Sequence, residues 1–186
     1  LRDSPRILVL LELNEFALYH AENTFRRLSS IPIVPCLGSV CDTGLVQNLL
    51  SEHKIETVYH AAAYKHVPLI EGNPFEGLRN NSLGTLSLVD KCMKADVSSF
   101  VLISTDKAVR PTNILGSSKR IAEMIVQDTA RSFSDRKLGI VRFGNVLDSS
   151  GSVVPMFREQ IKKRLPIKVT HQDITRYFMS IGEAAR

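Results

Sequence analysis

The chain has 186 residues, 44% of them hydrophobic and 23% charged, which is the size and makeup of one folded domain with its own core. Its formal charge of +5, from 24 basic and 19 acidic residues, is too diffuse for a nucleic-acid surface, the densest cluster being Lys162-Lys163-Arg164 without interleaved aromatics. Mild basicity suits an anionic small molecule such as a nucleotide; no apolar run approaches the roughly 18 residues of a membrane span, and no stretch reads as a secretory signal.

Strand-like and helical runs alternate along the sequence. Ile7–Glu12 is an apolar run closed by an acid, and Asn14 is placed to cap a helix over Glu15–Leu28. A second strand is expected over Ile33–Leu37, a helix over Gly44–Ser51 behind Asp42, and a third strand over Thr57–Ala61. Pro74 opens a long helical pattern reaching Lys94. The strand Ser99–Ser104 follows, then an Asn113-capped helix to about Ser132, a strand over Leu138–Phe143 and a helix over Val153–Lys163. Near the end, Ser180 and Glu183 have the spacing of a capping box, which announces another helix. Continuous apolar strands without alternation suit a sheet covered on both faces, so the pattern predicts an α/β, doubly wound parallel sheet. The three cysteines, Cys36, Cys41 and Cys92, form no C-x-x-C and cannot all pair. They read as small buried hydrophobes in a reducing compartment, the cytoplasm or the cytoplasmic part of an inner-membrane protein.

The stretch Val101–Lys119 carries the most chemistry. A β-rich run delivers Thr105, Asp106 and Lys107 in succession, then a Pro-Thr-Asn turn, then a helix with Lys119. Ligands of open parallel sheets sit beyond the carboxyl ends of the strands. A consecutive acid and base at a strand tip are therefore placed for proton transfer. Alone, such a tripeptide is more often a polar turn. The surrounding segments reverse that balance.

Those segments are H-A-A-A-Y-K-H-V-P (60–68), N-N-S-L-G-T (80–85), S-T-D-K-A-V-R-P-T-N (104–113), R-F-G-N-V-L (142–147) and T-R-Y-F-M (175–179). In this order and spacing they resemble the extended short-chain dehydrogenase/reductase family, and more narrowly its nucleotide-sugar 4,6-dehydratases of bacterial capsule and surface-polysaccharide biosynthesis. The resemblance implies a Rossmann-like sheet truncated at both ends. The ten glycines form no G-x-G-x-x-G, so the first strand and its Gly-rich turn are expected before residue 1, with Ile7–Glu12 as the second strand. In the order 3-2-1-4-5-6 the first strand lies centrally, so Ile7–Glu12 and Thr57–Ala61 are expected not to pair with each other. Residues 1–186 then belong to one catalytic domain, with 145–186 contributing to the substrate region, and the full-length protein is expected to form a homo-oligomer.

For the cofactor, the resemblance implies NAD, with NADP as the alternative. Glu12 would take the adenosine ribose hydroxyls and repel a 2′-phosphate. Ser39 stands where the family usually has an Asp for adenine, leaving Val40 and Asp42. Ala61, Ala62 and Ala63 would lie beside the nicotinamide half, and Lys119 would hold its ribose. Lys65 suits a phosphate or sugar contact, Asn145 the nucleotide diphosphate, Ser150 a phosphate-facing turn and Arg176 a bidentate phosphate clamp; Asp148 stands where the family more often has glycine. Asn81, in N-x-x-G-T, would brace the catalytic end of the sheet; on pattern alone a solvated helix face is as good a reading. No metal ligands are implied.

The superfamily's Tyr-x-x-x-Lys is here Leu115…Lys119. Leucine cannot carry a proton. One branch of the 4,6-dehydratases also places an apolar residue there, and in it Thr-Asp-Lys bears more of the chemistry. The implied reaction acts on UDP-N-acetylglucosamine: hydride leaves C4, the 4-ketone acidifies the C5 proton, a base removes it while an acid protonates the departing C6 hydroxyl, and the hydride returns to C6. Asp106 is the expected acid, Lys107 the base, and Thr105 the group polarising the C4 oxygen; Asp106, Lys107 or an ordered water takes the C4 hydroxyl proton. Two rivals remain: a 4-epimerase or reductase of the same superfamily, and a non-catalytic binding module, which Leu115 equally permits.

Overall fold

The structure, a computed structural model, describes residues 5–147, 153–167, 169, 171, 173, 175 and 177–184. Asp148, Ser150 and Arg176 lie outside these. In chain order the described elements are β1 (Leu8–Glu12), α1 (Glu15–Leu28), β2 (Ile33–Leu37), α2 (Thr43–His53), β3 (Thr57–His60), α3 (Val67–Gly72), α4 (Pro74–Leu78), α5 (Gly84–Lys94), β4 (Ser99–Thr105), α6 (Ile114–Ser132), β5 (Lys137–Phe143), β6 (Asn145–Val146), α7 (Val153–Lys162), β7 (Phe178–Met179) and α8 (Ile181–Ala184). A π-helical turn, Arg79–Leu83, joins α4 to α5, and a 3₁₀ turn, Asp106–Ala108, follows β4.

The helix starts follow from side-chain caps. Asn14 Oδ1 accepts the Ala17 N–H at 2.9 Å, Asp42 Oδ1 that of Leu45 at 3.0 Å, and Asn113 Oδ1 that of Gly116 at 2.8 Å. Ser180 and Glu183 close their capping box, the Ser180 N–H donating to Glu183 Oε2 at 2.7 Å and the Glu183 N–H to Ser180 Oγ at 3.2 Å.

The single helix expected from Pro74 to Lys94 is instead α4, the π turn and α5, with α3 ahead of them. The wider π turn carries one more residue per turn and rotates Asn80, Asn81 and Ser82 into the interior. The solvated-face reading of Asn81 is thereby overturned: it is fully buried. The third strand ends at His60, so Ala61 lies just beyond it.

β1 pairs in parallel with β2, Leu8 opposite Ile33 through Glu12 opposite Leu37. β3 pairs in parallel with β4, Thr57 opposite Ser99 through His60 opposite Leu102, in a sheet ordered β3-β4-β5. β1 and β3 do not pair with each other, so β2-β1 and β3-β4-β5 read as the two halves of a doubly wound sheet, as expected from sequence. The chain forms two compact units that divide within β5, one ending at Val141 and one starting at Arg142. In the second, β6 pairs in parallel with β7, Asn145 opposite Phe178.

The core of the first unit lies where α2, α5 and α6 cover β4. Val46 and Leu50 come from α2, Val89, Cys92 and Met93 from α5, Phe100 and Leu102 from β4, and Ala122 and Val126 from α6. Burial pushes the Cys92 thiol up to about 12, so it behaves as a small hydrophobe. All three cysteines are free; Cys36 and Cys41 are half-buried. No helix among the described residues is long and apolar enough to cross a membrane.

Candidate active site

β4 is central in its sheet, and its carboxyl end presents Thr105, Asp106 and Lys107, as the sequence predicts. The Thr105 hydroxyl donates to Asp106 Oδ1 at 3.0 Å and Lys107 Nζ donates to the same oxygen at 3.0 Å. Both charged side chains are partly exposed. Burial pushes the Asp106 carboxyl upward, but the hydrogen bonds from Lys107 and Thr105 and the Lys107 charge outweigh it, and the group sits below its ordinary range. The acid expected from sequence is therefore ionised at rest.

Helix α6 packs on this turn through Gly116. A Cβ there would lie 2.3 Å from the Lys107 carbonyl oxygen and 3.0 Å from Pro111 Cβ. Neither neighbour is the end of a flexible chain, so Gly116→Ala is expected to push the turn away from α6. Overpacking costs of about 1–3 kcal/mol outweigh the roughly 1 kcal/mol that alanine gains in helix propensity. Denaturant unfolding should show a net loss of about 1 kcal/mol; a gain in stability would contradict this packing. The helix is tied down from a second side by Glu71 of α3, whose carboxylate accepts the Ile114 N–H at 2.6 Å.

Behind the turn lies a buried polar cluster. Asn81 Oδ1 accepts the Tyr64 N–H at 2.8 Å and its Nδ2 donates to the Tyr64 carbonyl at 3.0 Å and to Ser118 Oγ at 3.1 Å. One side chain thus clamps the backbone just after Ala61-Ala62-Ala63, the bracing expected of Asn81. His60 Nε2 is 2.9 Å from Thr85 Oγ1, whose own proton goes to the Asn81 carbonyl at 2.7 Å. His60 must therefore donate from Nε2, which fixes its tautomer. Burial and the Lys119 charge push His60 down to about 3, so it stays neutral. Burial also pushes Lys119 down to about 8, against the opposing effect of Glu123.

The other expected residues fall as follows. Glu12 ends β1, its Oε1 accepting the Asn14 N–H at 2.9 Å. Val40 is buried, its side chain beside Gly84, and Lys119 is buried in α6. Ala63 and Lys65, with Tyr64, His66, Leu69 and Ile70, line a cavity of about 450 Å³. The α3 part of that wall escaped the sequence reading because α3 has only six residues, too short for a periodic signal. Leu115, in the place of the superfamily's tyrosine, is buried in the first turn of α6. Asn145 belongs to the second unit, where its Nδ2 donates to the Tyr177 carbonyl at 3.3 Å. Ser104 and Glu123, both buried, were not anticipated; polar residues inside an apolar strand and a helix give no periodic signal of partnership.

Residues 1–186 match the family model described as polysaccharide biosynthesis protein. The capsular polysaccharide biosynthesis protein CapD of Staphylococcus aureus is 46% identical over 184 residues, covering 98% of this chain and 31% of that protein. A UDP-glucose 4-epimerase of Rickettsia canadensis is 40% identical over 134 residues, covering 71% of this chain and 39% of that one. Among solved structures, Pen from Bacillus thuringiensis superposes with a TM-score of 0.90 at 30% identity, covering 98% of this chain and 56% of that one. The chain thus spans about a third of the CapD relative's length.

Proposed function

The chain belongs to the polysaccharide biosynthesis protein family, within the extended short-chain dehydrogenases/reductases, and from that membership we propose that the protein dehydrates a UDP-N-acetylhexosamine, UDP-N-acetylglucosamine, to its 4-keto-6-deoxy product. The observation that carries this reading is the Asp106–Lys107 pair at the tip of the central strand, 3.0 Å apart, with a buried leucine in the tyrosine's place. An elimination needs an acid and a base close together. A site whose tyrosine is absent needs them from elsewhere.

The residues present fit a nicotinamide dinucleotide: an acid at the tip of β1, three small residues after β3 whose backbone a flat ring can approach, and a buried ammonium on α6. When bound, that cofactor supplies the hydride acceptor for C4 and the donor for C6. Thr105 polarises the C4 oxygen. As the sugar excludes water, the ion pair loses solvation and the neutral pair gains, so the proton crosses from Lys107 to Asp106. Lys107, now neutral, takes the C5 proton while Asp106 gives its proton to the departing C6 hydroxyl; as hydride returns to C6, Lys107 gives a proton back to C5, and the proton that the C4 hydroxyl releases through Asp106, Lys107 or an ordered water makes up the one so spent. One water leaves, and the pair returns to ammonium and carboxylate. Lys119 holds the cofactor's ribose.

A protein spanning the length of the relatives should convert UDP-N-acetylglucosamine to a species lighter by one water, seen by mass spectrometry; an intact mass with the sugar inverted at C4 would favour the second reading. That reading, 4-epimerisation, is suggested by the identity to the Rickettsia protein of that name. Against it stand Leu115 and the consecutive acid and base. Glu12 leads to a cofactor preference: its carboxylate would oppose a 2′-phosphate, so the Kd for NADP should exceed that for NAD at least about tenfold. Calorimetric titrations returning equal constants would refute it.

A further inference from the structure

Glu123 is a fully buried carboxylate that no step above uses. Its burial has to be compensated, since a carboxylate left alone in a protein interior is very costly. The Ser104 hydroxyl donates to its Oε1 at 2.6 Å, and Arg120 Nη1 donates to its Oε2 at 2.9 Å. Ser104 immediately precedes the Thr105-Asp106-Lys107 turn, and Lys119 lies one helical turn before Glu123 on α6. The carboxylate thus joins the tip of β4 to the stretch of α6 that carries the buried lysine.

We propose that Glu123 is a positioning residue that ties the catalytic turn to α6 through Ser104 and, one helical turn from Lys119, serves as the counter-charge of that buried side chain. The inference rests on the function proposed above for the value of a charged Lys119, but its test does not depend on turnover. The titratable groups on the surrounding elements leave Glu123 as the counter-charge. His60 of β3 is neutral, and the Lys119 charge is one reason for that. Asp106 is engaged by Lys107 at 3.0 Å, Glu76 of α4 by Arg79 at 3.3 Å, Asp90 of α5 by Lys94 at 2.8 Å, and Glu71 of α3 by the Ile114 N–H at 2.6 Å. The negative field of Glu123 acts on Lys119 against the cost of its burial.

Selective ¹³C labelling of lysine side chains and NMR titration of the chain read this directly, with Lys119→Arg identifying the resonance. The native Lys119 midpoint is expected near 8. In Glu123→Gln the amide oxygen still accepts from Ser104 while the charge is gone, so the midpoint should fall by about one pH unit, leaving much of Lys119 neutral at pH 7. In Arg120→Gln the carboxylate loses a competing cation, and the midpoint should rise. Arg120 is partly exposed, so this second variant removes less buried structure and remains informative if Glu123→Gln folds poorly. Shifts of opposite sign support the proposal. An unchanged midpoint in Arg120→Gln, or in a folded Glu123→Gln, would overturn it, whatever the protein's activity proves to be.

Discussion

Replacing Asp106 by asparagine, in the protein extended to the length of its relatives, is expected to leave UDP-sugar binding within a few-fold of native and to lower turnover by about 10²–10⁴, the span typical of losing one general acid–base group. The reason is local. Asp106 shares its Oδ1 between the Thr105 hydroxyl and the Lys107 ammonium, each at 3.0 Å. Asparagine keeps the size and one accepting oxygen, so the turn should hold its shape. It cannot receive the proton from Lys107 or deliver one to the C6 hydroxyl. It also withdraws the charge that pairs with Lys107. Kinetics on the two proteins, with binding measured separately by calorimetry, would separate these effects. Equal turnover would move the acid's role elsewhere. A loss confined to binding would make the pair a substrate anchor rather than a proton-transfer site.

Asn81→Asp should be the most destabilising single change of charge in the polar cluster, by about 3–5 kcal/mol at pH 7. The native amide is fully committed: its oxygen faces the Tyr64 N–H, and its nitrogen faces the Tyr64 carbonyl and the Ser118 oxygen. Ser118 spends its hydroxyl proton on the Leu115 carbonyl at 2.8 Å, so it has none to offer a second carboxylate oxygen. Aspartate would set that oxygen against two acceptors in a site with no access to water. Burial raises the carboxyl's folded pKa above its unfolded value of about 4, so the cost should shrink as pH falls from 7 towards 4, where a protonated carboxyl donates again, and should change little below that. Urea unfolding across pH measures both points. A variant within about 0.5 kcal/mol of native at pH 7 would mean that the clamp on Tyr64 is not what holds this loop.

Much of the fold was legible because it is written in short-range signals. Asn14, Asp42 and Asn113 each precede a helix and each cap it; the unbroken apolar runs became strands within a residue or so of their expected ends. The π turn was not legible, since Arg-Asn-Asn-Ser-Leu reads as an ordinary helix interior with poor formers. Only the tertiary demand for Asn81 against Tyr64 and Ser118 explains it. Thr105, Asp106 and Lys107 could be placed from sequence because they are consecutive. Their electrostatics could not: these depend on which groups donate to Asp106, and the hydrogen bonds from Lys107 and Thr105 hold its carboxyl below the ordinary range. Glu123 was invisible for a related reason. A Lys-Arg-Ile-Ala-Glu stretch normally marks a solvated helix face, and only its packing against Ser104 reverses that.

Dehydration and epimerisation differ in what happens at C5 and C6 of the sugar. The direct measurement is proton NMR of the product formed from UDP-N-acetylglucosamine in deuterated water by the protein at the length of its relatives, with NAD. The expected product is a 4-keto sugar whose C6 has become a methyl group and whose C5 carries deuterium, because the C5 proton is lost to Lys107 and replaced from solvent. A product that keeps its C6 hydroxyl and its C5 proton, inverted only at C4, would contradict it.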